Sequence, residues 1–178
     1  ISMKLLLDTA VISEIEKYIN FSFIGGVTTN PSLLSKIDFS SYKSDLHKIK
    51  DLCQKNNKSL SLEVFSDDPN EIYKEAITIH KEFNFDNLFV KIPIDFETMP
   101  VIQKLESDGI KINCTCVYTL EQSFLLALMN TSIISVFYNR TKDKGNDPNM
   151  IISNLKNFII KNNSSSKIIT GSIRNIKD

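Results

Sequence analysis

Lys91 stands inside Asn87-Leu88-Phe89-Val90-Lys91-Ile92-Pro93, a short apolar run closed by a proline. The run reads as a β-strand, because Pro93 cannot donate the next ladder bond. A lysine held in a packed strand loses solvation, which favours the neutral amine and lowers its pKa. A neutral amine attacks carbonyl carbon, the opening step of Schiff-base chemistry. The competing reading is that Lys91 only ends the strand and extends its ammonium to solvent. Other residues weigh against it. Asp8, Thr28, Asn30, Glu63, Asn113, Thr115, Ser135 and Ser172 all fall at or near the carboxyl ends of apolar runs. Two acids, a lysine and several hydroxyl and amide donors at one rim form a catalytic constellation.

The elements that must carry these residues follow from periodicity and breakers. Strands are predicted over 3–8, 25–30, 59–66, 87–93, 111–118, 132–138 and 167–172. Helices are predicted over 11–20, 42–56, 68–83, 98–108, 120–130 and 148–161, with a helical turn from Pro31. Asp68 and Pro69 form a cap and first helical residue, and Gly109 suits a helix end. Residues 139–147, which include Arg140, read as a polar loop. Strands alternating with helices at a period of about 25 residues imply parallel pairing with helical crossovers. No glycine-rich nucleotide turn follows the first strand, which disfavours a dinucleotide fold. Polar residues at strand carboxyl ends are the mark of a (β/α)8 TIM barrel. Alternation along the fifth strand turns Asn113 and Thr115 inward, and Cys114 and Cys116 outward as packing residues.

The chain of 178 residues has 21 basic and 21 acidic side chains and two histidines. This balance gives no net field toward nucleic acid or an anionic membrane, so neither is expected as a partner. Three cysteines without a signal sequence argue against a disulfide framework. Cys114 and Cys116 have no neighbouring Cys or His pair, so no metal is expected. His47 and His80 fall in polar helical segments and read as solvated. No apolar run has the length of a membrane span, and a cytoplasmic location is expected. Ile1-Ser2 ahead of Met3 reads as an added remnant, with the natural start at Met3.

Five blocks resemble the transaldolase family. They are Leu-Asp-Thr-Ala (7–10), Gly-Val-Thr-Thr-Asn-Pro-Ser-Leu (26–33), Val-Lys-Ile-Pro (90–93), Gly-Ile-Lys-Ile-Asn-Cys-Thr (109–115) and Gly-Ser-Ile-Arg-Asn (171–175). The likeness is greatest to the small group that includes fructose-6-phosphate aldolase, and it covers the whole chain. It implies class I aldol chemistry without metal or cofactor. Lys91 would form the Schiff base with the C2 ketone of a sugar phosphate, and Asp8 would act as general base at the C4 hydroxyl. Glu63 and Thr115 would hold a proton-relaying water. Asn30 and Asn113 would bond substrate hydroxyls, with Thr28 beside them, and Ser135 would orient C1. Arg140, Ser172 and Arg174 would bind the phosphate. Glu63 and Phe137 match the transaldolase pattern, whereas the aldolase type carries Gln and Tyr. The implied reaction is transfer of a dihydroxyacetone unit from fructose 6-phosphate or sedoheptulose 7-phosphate to an aldose phosphate, in the pentose phosphate pathway. The alternatives are a fructose-6-phosphate aldolase-type lyase, a deoxyribose-phosphate aldolase relative, or a non-catalytic barrel binding protein.

Two features depart from the family pattern. The block at 135–140 reads Ser-Val-Phe-Tyr-Asn-Arg, with Val136 for the usual proline and Asn139 for the usual glycine. Residues 1–178 are expected to form one barrel domain that lacks the last strand and helices, truncated or incompletely ordered at its carboxyl end. Closure would take roughly 30 to 45 further residues. Full-length members of the group imply a homo-oligomer, a decamer or pentamer.

Overall fold

The computed structural model describes residues 3–34, 42–175 and 177–178. The reading of Ile1-Ser2 lies outside them. Among the described residues, seven strands follow one another in the sheet in chain order and alternate with helices, the (β/α)-barrel pattern expected from the sequence. The chain forms two compact units, Ile1–Val90 and Lys91–Asp178, divided within the fourth strand.

The first unit contains β1 (Leu5–Asp8), α1 (Ile12–Tyr18), β2 (Ile24–Thr28), α2 (Pro31–Leu34), α3 (Tyr42–Lys55), β3 (Ser59–Glu63), α4 (Pro69–Glu82) and the start of β4 (Leu88–Pro93). β1 pairs in parallel with β2, placing Asp8 opposite Thr28. β2 pairs in parallel with β3, placing Gly26 opposite Ser59. A Cβ at Gly26 would lie 2.0 Å from the Ser59 hydroxyl and 2.5 Å from its carbonyl oxygen, so only glycine permits this approach. The apolar stripes fall inward as periodicity requires, with Ile15, Ile49, Cys53 and Leu60 fully buried. Burial pushes the Cys53 thiol up to about 12, which makes it a packing residue. Asp68 caps α4 by accepting from the Asn70 and Glu71 amides, both at 3.0 Å.

The second unit contains the remainder of β4, α5 (Met99–Ser107), β5 (Ile112–Val117), α6 (Leu120–Leu128), β6 (Ile133–Phe137), α7 (Tyr138–Asp143), α8 (Pro148–Lys161) and β7 (Lys167–Gly171). β5, β6 and β7 pair in parallel. Gly109 ends α5 with φ of 84°. A Thr119–Gln122 capping box opens α6. Two expectations are corrected here. The segment read as a polar loop forms α7 over Tyr138–Asp143. Its inward residues include Asn139 and Thr141, so a helix with a polar inner face leaves no hydrophobic period to detect. Cys116 does not share the packing role of fully buried Cys114. The β5–β6 register shifts between Cys114 and Val117, Cys116 takes a φ of 62°, and its side chain is only partly covered. A bulge restarts the alternation that the sequence reading assumed was continuous. Among the described residues, no helix is long and apolar enough to cross a membrane.

Glu106 fastens the amino ends of β5 and β6. Its carboxylate accepts from the Ile112 amide at 3.0 Å, the Ser132 amide at 2.6 Å and the Ser132 hydroxyl at 2.9 Å. Burial raises its pKa above the ordinary 4.5, and the three hydrogen bonds oppose that rise. Glu106→Ala removes the acceptor for all three donors and is expected to cost about 2–3 kcal/mol in urea unfolding. The sign of the pH effect follows from the raised pKa. Its titration contribution is full below the ordinary value and is lost as pH rises through the folded-state pKa. The stability of the protein relative to Glu106→Gln is therefore expected to decline as pH rises from about 4.5. A difference that grows over that range would exclude a raised pKa.

Candidate active site

In the first unit, the end of β1 meets the end of β2. The Thr28 hydroxyl donates to Asp8 Oδ1 at 2.8 Å. Asp8 does not cap α1, whose N-cap is Val11 without a side-chain bond. Thr9 instead ties the approach to α1, accepting from the Val11 amide at 3.1 Å and donating to Glu14 at 2.6 Å. Asp8 is thus an exposed carboxylate steered by a strand hydroxyl. Asn30 turns its Oδ1 to the Leu33 amide at 3.0 Å and so opens α2. This fixes the side chain and leaves the Nδ2 end as its donor. Glu63 ends β3 and lines a cavity of about 300 Å³ with Leu62, Phe65, Tyr42, Glu75 and Leu34. Burial, with the charges of Glu75 and Glu82, pushes the Tyr42 phenol up to about 12.

In the second unit, Lys91 is 7% exposed, between Val90 at 1% and Ile92 at 0%. The strand therefore covers its lysine rather than extending it to solvent. The Ile94 amide donates to the Thr115 carbonyl at 3.0 Å and ties the end of β4 to β5. β5 contributes Asn113 and Thr115, each 1% exposed, and β6 contributes Ser135 at 3%. The Ser135 hydroxyl donates to Asn113 Oδ1 at 2.6 Å. With Oδ1 so engaged, the amide must present its Nδ2 as a donor. The Thr115 hydroxyl is buried and has no hydrogen-bond partner among the described residues, a condition it shares with Thr131 and Thr141. Of these three, only Thr115 lies on a strand among the predicted site residues. An unsatisfied buried hydroxyl is uncommon and suits a place where a ligand or water completes the bonding.

Of the predicted phosphate donors, Arg140 and Arg174 are exposed and Ser172 is half-buried, and each is differently engaged. Phe137 ends β6 and carries the Arg140 guanidinium 5.3 Å above its ring. Ser172 follows β7 in a left-handed conformation with φ of 58°. Its carbonyl accepts from Asn139 Nδ2 at 2.8 Å and the Asn139 amide at 3.3 Å. The Asn139 side chain also donates to Asp178 at 2.7 Å. Asn139 is therefore a tie between α7 and the segment after β7, and the departure from glycine keeps Arg140 and Ser172 on linked supports. Arg174 makes a two-pronged pair with Asp143, at 3.1 and 2.5 Å. The Arg174 guanidinium holds the Asp143 carboxyl below its usual range. The sequence reading missed Asn139 and Asp143 as supports. Their spacing from Arg140 placed them on α7, but nothing local showed that this segment was helical. Among the described residues, no group of three or more His, Cys, Asp or Glu side chains could hold a metal ion.

Thr115→Val replaces the unsatisfied hydroxyl with a methyl of the same shape. The variant is expected to match the parent or gain up to about 1 kcal/mol in urea unfolding. A loss larger than that would mean the hydroxyl is bonded in the folded protein.

Comparison with known proteins matches residues 5–178 to the model of the Transaldolase/Fructose-6-phosphate aldolase family. A probable transaldolase of Dehalococcoides mccartyi is 35% identical over 97% of this chain and 78% of its own length. A probable transaldolase of Thermoplasma volcanium is 37% identical over 97% of the chain and 76% of its own length. A probable transaldolase 2 of Listeria monocytogenes is 33% identical over 98% and 77%.

Proposed function

The chain belongs to the transaldolase/fructose-6-phosphate aldolase family, and from that premise we propose that it transfers a three-carbon ketol unit between sugar phosphates through a Schiff base on Lys91. The observation that carries this reading is the near-complete burial of Lys91 within an apolar strand. Burial keeps bulk water from the amine that would attack the ketone and from the imine it would form.

In the proposed reaction the Lys91 amine adds to the C2 ketone of fructose 6-phosphate or sedoheptulose 7-phosphate, and loss of water gives the imine. Protonated imine draws the electron pair of the C3–C4 bond as that bond breaks, leaving an enamine on Lys91. Asp8 takes the C4 hydroxyl proton, and an aldose departs. A second aldose phosphate then accepts the enamine carbon, Asp8 returns the proton, and hydrolysis frees the new ketose. Thr28 supports this role by steering Asp8. The family likeness gives both Glu63 and Thr115 a part in relaying protons through water during dehydration, and the unsatisfied Thr115 hydroxyl fits that part. Asn30 and Asn113 donate to substrate hydroxyls, and Ser135 sets the Asn113 amide for that purpose. Phe137 supports Arg140, and Arg140, Ser172 and Arg174 take the phosphate, since a guanidinium fork meets phosphate oxygens in pairs. The activity belongs to pentose phosphate chemistry.

A lyase that releases dihydroxyacetone is the second reading, supported by the breadth of the family description. Glu63 and Phe137 favour transfer, because a water held by a carboxylate spares the enamine for a second sugar. Borohydride with fructose 6-phosphate is expected to leave one covalent adduct on Lys91, located by peptide mass spectrometry. The adduct should be absent from Lys91→Arg, whose fold is checked by circular dichroism. No adduct on the parent protein would reject Schiff-base chemistry. Free dihydroxyacetone in the absence of any acceptor would assign the lyase. Thr115→Val is expected to lose at least about tenfold in turnover while staying folded, the scale of a lost proton-transfer group.

A further inference from the structure

Three cations cluster along and just after α7, and two of them sit on one aromatic pair. Tyr118, which follows β5, packs edge-on against Phe137 at the end of β6, with ring centroids 5.8 Å apart and planes at 89°. The Arg140 guanidinium lies 5.3 Å from the Phe137 ring. The Lys144 ammonium lies 4.9 Å from the Tyr118 ring. The third cation, Lys142, is directed elsewhere: it lies 4.6 Å from the Tyr138 ring and 4.0 Å from Asp178. The nearest acid in sequence, Asp143, pairs with Arg174 and its charge also reaches Arg140, whereas Lys144 is held by the Tyr118 ring. Two rings in contact thus hold two positive charges at the carboxyl ends of neighbouring strands, an arrangement that like-charge repulsion opposes unless an anion is shared. Burial raises the Tyr118 phenol while the Arg140 guanidinium beside it pulls it back, so phenol and guanidinium belong to one electrostatic group.

We propose that Lys144, positioned by the Tyr118 ring, is a third cation for the substrate phosphate, beside Arg140 and Arg174 and beyond the three donors named above. The proposal deepens the sugar-phosphate reading and rests on it for the identity of the anion. Cation–π contact orients a lysine without neutralising it, so the ammonium keeps its charge for a ligand. Cys116 has a place in this account as well. Its left-handed bulge restarts the strand just before Tyr118, and such a bulge re-aims the side chains that follow it.

The test measures binding of inorganic phosphate by isothermal titration calorimetry, which needs no Schiff base and no turnover. Lys144→Gln is expected to weaken phosphate about fivefold to tenfold, the scale of one charge-assisted contact. Lys144→Arg should retain affinity within about twofold. Tyr118→Leu should lose as much as Lys144→Gln, and Tyr118→Phe, which keeps the ring, should lose less than half of that. Lys161→Gln changes net charge equally at an exposed lysine of α8 and is expected to leave affinity unchanged. An equal loss in Lys144→Gln and Lys161→Gln would overturn the proposal by showing a general charge effect. So would unchanged affinity in Lys144→Gln. The borohydride experiment is independent: a parent protein that binds phosphate through Lys144 yet forms no adduct would sink the aldol chemistry and leave this anion site standing.

Discussion

A lysine kept out of water inside a strand is the constraint around which the second unit is arranged. Burying an ammonium forfeits several kcal/mol of hydration unless polar groups replace the water. Leu88, Val90 and Ile92 make one face of β4 as dry as any core strand, and Lys91 on the other face is scarcely more exposed. An aliphatic side chain at that position would serve stability better. The fold answers with further polar residues in the adjoining strands. Asn113, Thr115 and Ser135 are all buried, although strand positions of that kind are ordinarily aliphatic. The second unit spends stability at Lys91 and again at Thr115, whose hydroxyl is unsatisfied. Such spending concentrates where ligands complete the bonding.

Much of this arrangement is legible in the chain because it is local. Pro69 after Asp68, Gly109 after an amphipathic run, and the inward stripe of Ile15 and Ile19 each follow from the chemistry of a few neighbouring residues. Polar residues at strand ends exposed the barrel class for the same reason. The failures share a different cause. Cys116 was placed by a period of two, but one residue in the left-handed region resets that period, and cysteine gives no warning of it as glycine would. The helix at Tyr138–Asp143 is polar on both faces and has no stripe. Its partner groups come from Ser172 and Asp178, more than thirty residues away in sequence. Tyr118 read as the last residue of a strand, and only the contact with Phe137 gives it a function-related place.

The two departures from the family pattern are absorbed differently. Val136 is fully buried in β6 and pairs with Thr170 and Val117, so a residue with an amide continues the ladder where proline would have interrupted it. Asn139 has no positive φ, so the backbone at this point does not require glycine. The larger side chain is put to use, since it donates to the Ser172 carbonyl and to Asp178. Those bonds fix the segment in which Ser172 holds its strained conformation, which for a residue with a Cβ costs about 1–2 kcal/mol.

Burial within the second unit is graded by the task each residue would perform. Lys91, Asn113, Thr115 and Ser135 are almost inaccessible, while Arg140 and Arg174 are exposed. A Schiff-base amine gains from dryness because bulk water is kept from the imine it would form. Phosphate gains from the opposite environment: as a strongly hydrated anion it would lose more than it gained in a closed apolar site. Guanidinium groups at the surface are open to a ligand that approaches through water, and need orienting more than they need burial. Asp143 supplies that for Arg174, and the Phe137 ring supplies it for Arg140. An acid and an aromatic ring accomplish this by different means. The carboxylate cancels part of the charge it orients, whereas the ring leaves the cation at full strength. The guanidinium over Phe137 would therefore be the stronger anion receptor of the two under the proposed function.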